Sequence, residues 1–167
     1  MSKEGYGSMV RVVPIQVEDI PANEHRLIEL FEQSFRVSFA EEELGKTYGM
    51  ERVETLRSYL GEGKALLYAA KHNDDLVGII WFFVKEDRQR RIIHINHFVV
   101  AEEYRGKGIG GALFNQVEDY AISNGIAEIE LLVSKDNHSA VAFYKNRDFE
   151  TKRLLMTKRC FNDGYLF

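Results

Sequence analysis

The chain has 167 residues, 45% of them hydrophobic, with 22 Lys and Arg against 26 Asp and Glu for a formal net charge of −4. That length suits one globular domain over residues 1–167 with room for a core, and a pI near 5.8 argues against nucleic acid as the main partner. A single Cys160 excludes an internal disulfide and fits a reducing, cytoplasmic compartment; with no signal-peptide pattern and no apolar run of spanning length, no membrane partner is expected. In chain order, Met9–Val13 reads as a first strand, and Asp19-Ile20-Pro21 opens a helix carrying Leu27, Ile28, Leu30, Phe31 and Phe35. A second helical region spans roughly Glu41 to Leu60, with Gly45 and Gly49 suggesting a break. Lys64–Lys71 and Leu76–Lys85 read as strands joined by the turn sequence His72-Asn73-Asp74-Asp75. Glu86–Arg90 is a charged turn before the strand Arg91–Val100, which completes an antiparallel meander. A glycine turn and a helix ending at Asn124-Gly125 cross to a strand at Ile126–Ser134, placed parallel to its predecessor. A last helix begins near Asn137, and Phe149–Lys158 returns as a strand. The expected class is α/β (α+β): a mixed, mostly antiparallel sheet with helices on both faces.

The informative stretch is Arg91 to Gly111, where a β-branched strand runs through a short acidic loop into Arg105, Gly106, Lys107, Gly108, Ile109, Gly110 and Gly111. A strand, a glycine turn and a helix N-terminus together make a phosphate site. Backbone N–H groups point outward, the helix dipole favours negative charge, and Arg105 and Lys107 add cations. A P-loop would need Lys and Ser/Thr after its second glycine, and Gly108-Ile109 does not comply. The dinucleotide fingerprint is met literally by Gly106, Gly108 and Gly111, with Glu130 about 20 residues on, but Ala101–Arg105 separate the strand from the first glycine. The third reading is Arg-x-x-Gly-x-Gly, met by Arg105, Gly108 and Gly110.

On that pattern the segment resembles the coenzyme A loop of the GNAT superfamily of N-acetyltransferases: Phe98-Val99-Val100, three loop residues, then Tyr104 to Gly110 and a helix. A second block is similar to the same family, Asn137 through Ala140 to Phe143-Tyr144, with Phe149 following and Asp148 where the family has glycine. Aspartate tolerates turn conformations, so the exchange is mild. The resemblance implies acetyl-CoA as cosubstrate and a primary amine as acceptor, which could be a polyamine, an aminoglycoside, an amino acid or a peptide amine. It implies contacts to coenzyme A from the main chain of Phe98, Val99 and Val100 and from the glycine loop, with Asn137 adding a contact beside its helix-capping role. No metal is implied.

Transfer from a thioester to an amine needs a base, an oxyanion donor and an acid for the leaving thiolate. The resemblance places Tyr144 near the sulfur, where a phenol of reference pKa about 10 can serve a thiolate. Its backbone oxyanion donors often sit beside a β-bulge. Many related enzymes carry two carboxylates where this chain has Asn96-His97. His97, His94 or water is left as the base, and the two histidines, three apart on a strand, are expected on opposite faces. Leu132 stands where ribosomal-protein acetyltransferases of the superfamily place a catalytic glutamate. The apolar tail Cys160–Phe167 is expected to pack on the sheet or on a second subunit of a homodimer. Two other classes stay open: an acyl-CoA-binding regulatory domain without turnover, and a dinucleotide-binding protein.

Overall fold

The computed structural model describes residues 10–38, 47–158 and 160. Five strands pair in chain order: β1 (Val10–Ile15), β2 (Leu66–His72), β3 (Asp75–Asp87), β4 (Arg90–Val100) and β5 (Glu128–Leu131). β1 to β4 are antiparallel and β5 joins β4 in parallel, as a strand reached through a helical crossover must. At the β3–β4 turn Arg88 and Gln89 both have positive φ, 49° and 68°. That is the backbone of a two-residue hairpin turn whose twist matches its strands, so both strands run further into the charged stretch than the sequence reading placed them.

Four helices cover the sheet: α1 (Ile20–Ser38), α2 (Tyr48–Gly61), α3 (Ile109–Ser123) and α4 (His138–Lys145). The entry to α1 is set by the Gln16 backbone N–H donating to Asp19 Oδ2 at 2.9 Å. Gly49 is the second residue of α2, so the helix starts beside this glycine, while the Glu41–Gly45 part of the expected helical region lies outside the described residues; a Cβ at Gly49 would stand 2.7 Å from Ile28 Cγ2. The glycine lets α2 lie close against α1. Leu27, Phe31 and Leu56 bury the apolar stripes of these helices on one sheet face with Ile79, Trp81 and Val99. On the other face Leu113, Phe114 and Val117 of α3 pack on Ile80, Phe82 and Ile93, joined by Phe143, Tyr144 and Phe149. The doubly wound parallel sheet that a dinucleotide fingerprint requires is not this fold.

Two expectations at the C-terminal end are corrected. The strand expected over Ile126–Ser134 shortens to the four residues of β5. Phe149–Lys158 forms no strand: the chain is irregular there and residues 151–158 are exposed. Leu154-Leu155-Met156 are consecutive apolar residues, without the alternation that would commit one face of a strand to a core. Most of the tail Cys160–Phe167 lies outside the described residues; Cys160 itself is an exposed free thiol. Among the described residues no helix is long and apolar enough to cross a membrane.

Candidate active site

The site is built on a defect in β4. Trp81 of β3 pairs with His97 and Phe82 pairs with Ile95, which leaves Asn96 as an extra residue in a β-bulge. The insertion reverses the alternation of faces. Ile93 and Ile95 face α3, and beyond the bulge so do Phe98 and Val100. His94 lies against Phe83 and His97 against Trp81, and Tyr59 of α2 touches both of those rings. His94 and His97 therefore share the α1/α2 face. Their expected placement on opposite faces is overturned by the one-residue bulge, which spacing alone does not reveal.

Pairing with β5 ends at Ile95 opposite Leu131, so Asn96–Val100 continue with one backbone edge free of any strand among the described residues. That edge faces the start of α3 and the side of α4. The Phe98 ring lies 5.5 Å from Phe143 and 6.4 Å from Tyr144, and a Cβ on Gly110 would come within 3.4 Å of Phe98 and 3.6 Å of Phe143. The result is a slot with main-chain groups on one wall and aromatic rings on the other.

At the mouth of the slot Gly106 and Gly108 adopt φ of 72° and 79°, and a Cβ on either would meet nothing within 4 Å. The left-handed backbone calls for glycine there, and the open space beside it is what an approaching ligand needs. The first helical bond of α3 runs from the Ala112 N–H to the Gly108 carbonyl at 3.1 Å. Ile109, Gly110 and Gly111 thus have N–H groups with no acceptor in the helix, while the buried Ile109 side chain anchors the turn. Arg105 Nε donates to the Val100 carbonyl at 3.1 Å, an oxygen that also accepts from Gln33 Nε2 of α1 at 3.1 Å. Lys107 Nζ donates to the Glu103 carbonyl at 3.0 Å and lies 5.0 Å from the Tyr104 ring centroid. Both cations are tied to the loop that precedes them, which holds positive charge at the helix start.

Asn137 caps α4, its Oδ1 accepting from the Ala140 N–H and from Ser139 Oγ, each at 3.2 Å. About two turns later Tyr144 is partly buried among Phe98, Phe114, Phe143 and Phe149. Its hydroxyl reaches the surface and has no hydrogen-bond partner among the described residues. Burial pushes the phenol up to about 12, so it stays protonated at every working pH. Asp148, in the place of the family's glycine, has φ of 62° and turns the chain from α4 to Phe149.

One residue of this wall escapes sequence reasoning. Arg147 NH1 reaches Glu118 at 3.0 Å, NH2 reaches Asn115 at 3.2 Å and the Gly111 carbonyl at 3.4 Å, and the guanidinium covers the Phe114 and Phe143 rings at 4.7 and 5.1 Å. It ties the end of α4 to the first turns of α3. A Cβ at Gly111 would come within 3.2 Å of that guanidinium and displace it by a few tenths of an ångström, so this glycine eases the close approach of Arg147. Arg147 lies in the turn after α4, its N–H donating to the Tyr144 carbonyl at 2.9 Å, so helical spacing in the sequence does not announce its position.

The opposite face is built differently. His97 stacks on Trp81 at 5.3 Å and meets Phe31 edge-on at 4.9 Å, and its Nδ1 is buried without a hydrogen-bond partner among the described residues. Burial, and then the charge of Arg52, lowers its pKa to about 4. His94 Nδ1 pairs with Glu130 at 2.7 Å, and Lys85 closes on the same carboxylate. The carboxylate that the dinucleotide reading placed on a ribose is thus engaged by side chains of the sheet. Among the described residues no three His, Cys, Asp or Glu side chains gather as a metal site.

A family model for the acetyltransferase (GNAT) family matches residues 25–149. An uncharacterized N-acetyltransferase of Methanocaldococcus jannaschii is 34% identical over 73 residues, 44% of this chain and 32% of that protein. The first curated relatives are matched over only a third to a half of their own length. In fold, the chain is similar to an aminoglycoside acetyltransferase from an uncultured soil metagenomic sample (TM-score 0.71, 18% identity, 93% of this chain and 99% of that one). It is similar too to a predicted acetyltransferase of Clostridium acetobutylicum solved with acetyl-CoA (TM-score 0.71, 16% identity, 90% and 96%). With the family model spanning the bulged strand, the glycine turn and the Tyr144 helix, this chain belongs to the acetyltransferase (GNAT) family.

Proposed function

We propose that this chain transfers the acetyl group of acetyl-CoA to a primary amine by direct attack in a ternary complex. The observation that carries the reading is the slot between the bare edge of Asn96–Val100 and Tyr144, with an open glycine turn at its mouth. The N–H groups of Ile109, Gly110 and Gly111, with Arg105 and Lys107, take the diphosphate. Phe98, Val99 and Val100 offer main-chain groups to the pantetheine arm, and a free N–H near the bulge stabilises the thioester oxygen as it becomes an oxyanion.

The proton inventory follows from the two shifted groups. The amine nitrogen attacks the carbonyl carbon, the C–N bond forms, the C–S bond breaks, and one N–H proton must leave. Tyr144, held near 12, is a weaker acid than a thiol of about 8.5, so full transfer of its proton to sulfur is uphill by roughly 4–5 kcal/mol. Its phenol therefore donates a hydrogen bond that lowers the cost of the departing thiolate, and the proton released from nitrogen ends on sulfur or in solvent. His97, at about 4, is neutral at working pH and is too weak a base to deprotonate an ammonium. In this reading it lines the acceptor side of the bulge, and water takes the ammonium proton before attack.

The acceptor is a small-molecule or peptide amine that approaches from the α1/α2 side. Calorimetric titration with acetyl-CoA, with NADH as control, tests the donor site, repeated on Gly108→Trp. Micromolar binding that the tryptophan abolishes, followed by thiol release with an amine library, is the expected result. Absence of acetyl-CoA binding overturns the reading, and binding without turnover on any amine moves the chain to an acyl-CoA-sensing role.

A further inference from the structure

The α1/α2 face holds nitrogen atoms that find no acceptor among the described residues. In α2, Tyr48, Arg52 and Leu56 follow at four-residue spacing and lie along one side of the helix, with Leu56 fully buried. Tyr48 and Leu56 join Phe31 and Trp81 in one core cluster, so this side of α2 is turned to the sheet. The Arg52 guanidinium lies 5.7 Å from the Tyr48 ring centroid; its Nε is buried and unpaired, and no carboxylate bridges it among the described residues. Arg57, a turn further on, is by contrast held by Glu24 and Glu54. The charge of Arg52 is felt at His97, whose Nδ1 is the second unpaired nitrogen. The third is Nε1 of Trp81, a wholly buried ring stacked on His97.

Buried polar groups are rarely left without partners, and three on one face of the sheet call for a ligand. The chemistry of the set fixes the sign of its charge. Guanidinium and indole N–H groups only donate, and a neutral imidazole donates from one of its nitrogens. The surroundings are thus rich in donors, short of acceptors, and carry one unmatched positive charge. A single carboxylate answers that charge, whereas a second ammonium group, as on a polyamine, meets repulsion there. Resting on the acetyl-transfer reading, we infer that the acceptor is an amine that also carries a carboxylate, the chemistry of a free amino acid, and that Arg52 binds the carboxylate while the amine reaches the bulge at Asn96. Nη1 and Nη2 of Arg52, not closed off as Nε is, take the two carboxylate oxygens side by side. The nitrogens of His97 and Trp81 lie deeper, where the lack of acceptors favours an anion over a cation.

Trp81 is the single tryptophan of the chain, so its emission reports on this site without any turnover. The full chain is titrated with glycine, alanine, leucine and 4-aminobutanoate, each against its own amide. At least one acid should change the emission saturably where its amide does not, and Arg52→Met should weaken that response tenfold or more. With acetyl-CoA added, kcat/KM should favour the same acid over its amide by about 10- to 100-fold, the range of a charge-assisted hydrogen bond. That ratio should fall toward one in Arg52→Met and recover in part in Arg52→Lys, which keeps the charge but not the fork. Circular dichroism matching the parent separates loss of the site from loss of the fold. Emission that no acid changes, or a preference for the acid that survives Arg52→Met, overturns the inference. Acetylation of amines with no preference for a carboxylate also overturns it and leaves acetyl transfer standing. Failure to bind acetyl-CoA overturns acetyl transfer instead, and the emission titration still decides the anion site.

Discussion

Phe98 and Val100 stand on one face of β4 beyond the bulge, and His97 and Val99 on the other. On the α3 face the groups left open at the slot are mostly backbone: a strand edge without a partner among the described residues, left-handed glycines, and helix N–H groups without acceptors, with the Phe143 and Tyr144 rings as the opposite wall. The α1/α2 face is made from side chains packed on one another, with His97 between Trp81 and Phe31 and with His94 held by Glu130. A ligand common to a whole family can be bound by main chain and glycine, whose geometry leaves little room for substitution. An acceptor that differs between relatives is met by side chains, which can be exchanged one at a time.

The largest test of that contrast is Tyr144→Phe. The ring keeps its contacts with Phe98, Phe114, Phe143 and Phe149, and only the hydroxyl without a protein partner is lost. The expected outcome is a fall in kcat of about 10²-fold, near the lower end of general-acid effects, with KM for acetyl-CoA within a few-fold of the parent. Steady-state kinetics of thiol release measure both. An unchanged kcat would move the thiolate's partner elsewhere and leave Tyr144 as a packing residue.

The second test falls on the opposite face, where His97 titrates at about 4 in the folded chain against about 6.5 unfolded. The unfolded state binds more protons between those values, so stability is complete above about 6.5 and declines as pH falls toward 4. The ceiling for this one group is on the order of 3 kcal/mol, most of it already lost by about pH 4.5. Urea unfolding at pH 7 and at pH 4.5 should show that loss in the parent and a reduced loss in His97→Phe, which keeps an aromatic ring between Trp81 and Phe31. On the proposal that water takes the ammonium proton, the same variant should retain kcat within about tenfold. A loss beyond about 10³-fold with the fold intact would restore His97 as the base.

How far each half could be read from the sequence follows from what encodes it. The turn at Gly108, the start of α3 and the cap at Asn137 are legible because each depends on a few neighbours. The shared face of His94 and His97 was not legible, because it depends on whether Asn96 joins the ladder or bulges from it, a choice made by strand pairing. Strand limits failed at the C-terminal end too. Phe149–Lys158 carries apolar residues, but Leu154-Leu155-Met156 run consecutively and commit no single face to a core, so no strand forms.

Arg147 gives the smallest effect and the sharpest location. It joins the turn after α4 to the first turns of α3, reaching Glu118, Asn115 and the Gly111 carbonyl while covering Phe114 and Phe143. Arg147→Met preserves the length of the stem and the cover on the rings but removes the tie to the start of α3. The pair with Glu118 is partly exposed, so the stability loss should stay near 1 kcal/mol. The slot should suffer more than the fold. With the first turn of α3 no longer fixed against α4, KM for acetyl-CoA should rise about five- to tenfold while kcat at saturation changes little, the pattern of lost ground-state binding. Arg147→Lys restores charge without the fork that reaches three acceptors, and it should recover little of that affinity. A variant with unchanged KM would mean that β4 and the glycine turn hold the donor without help, and that the α3 face needs no side chain at all.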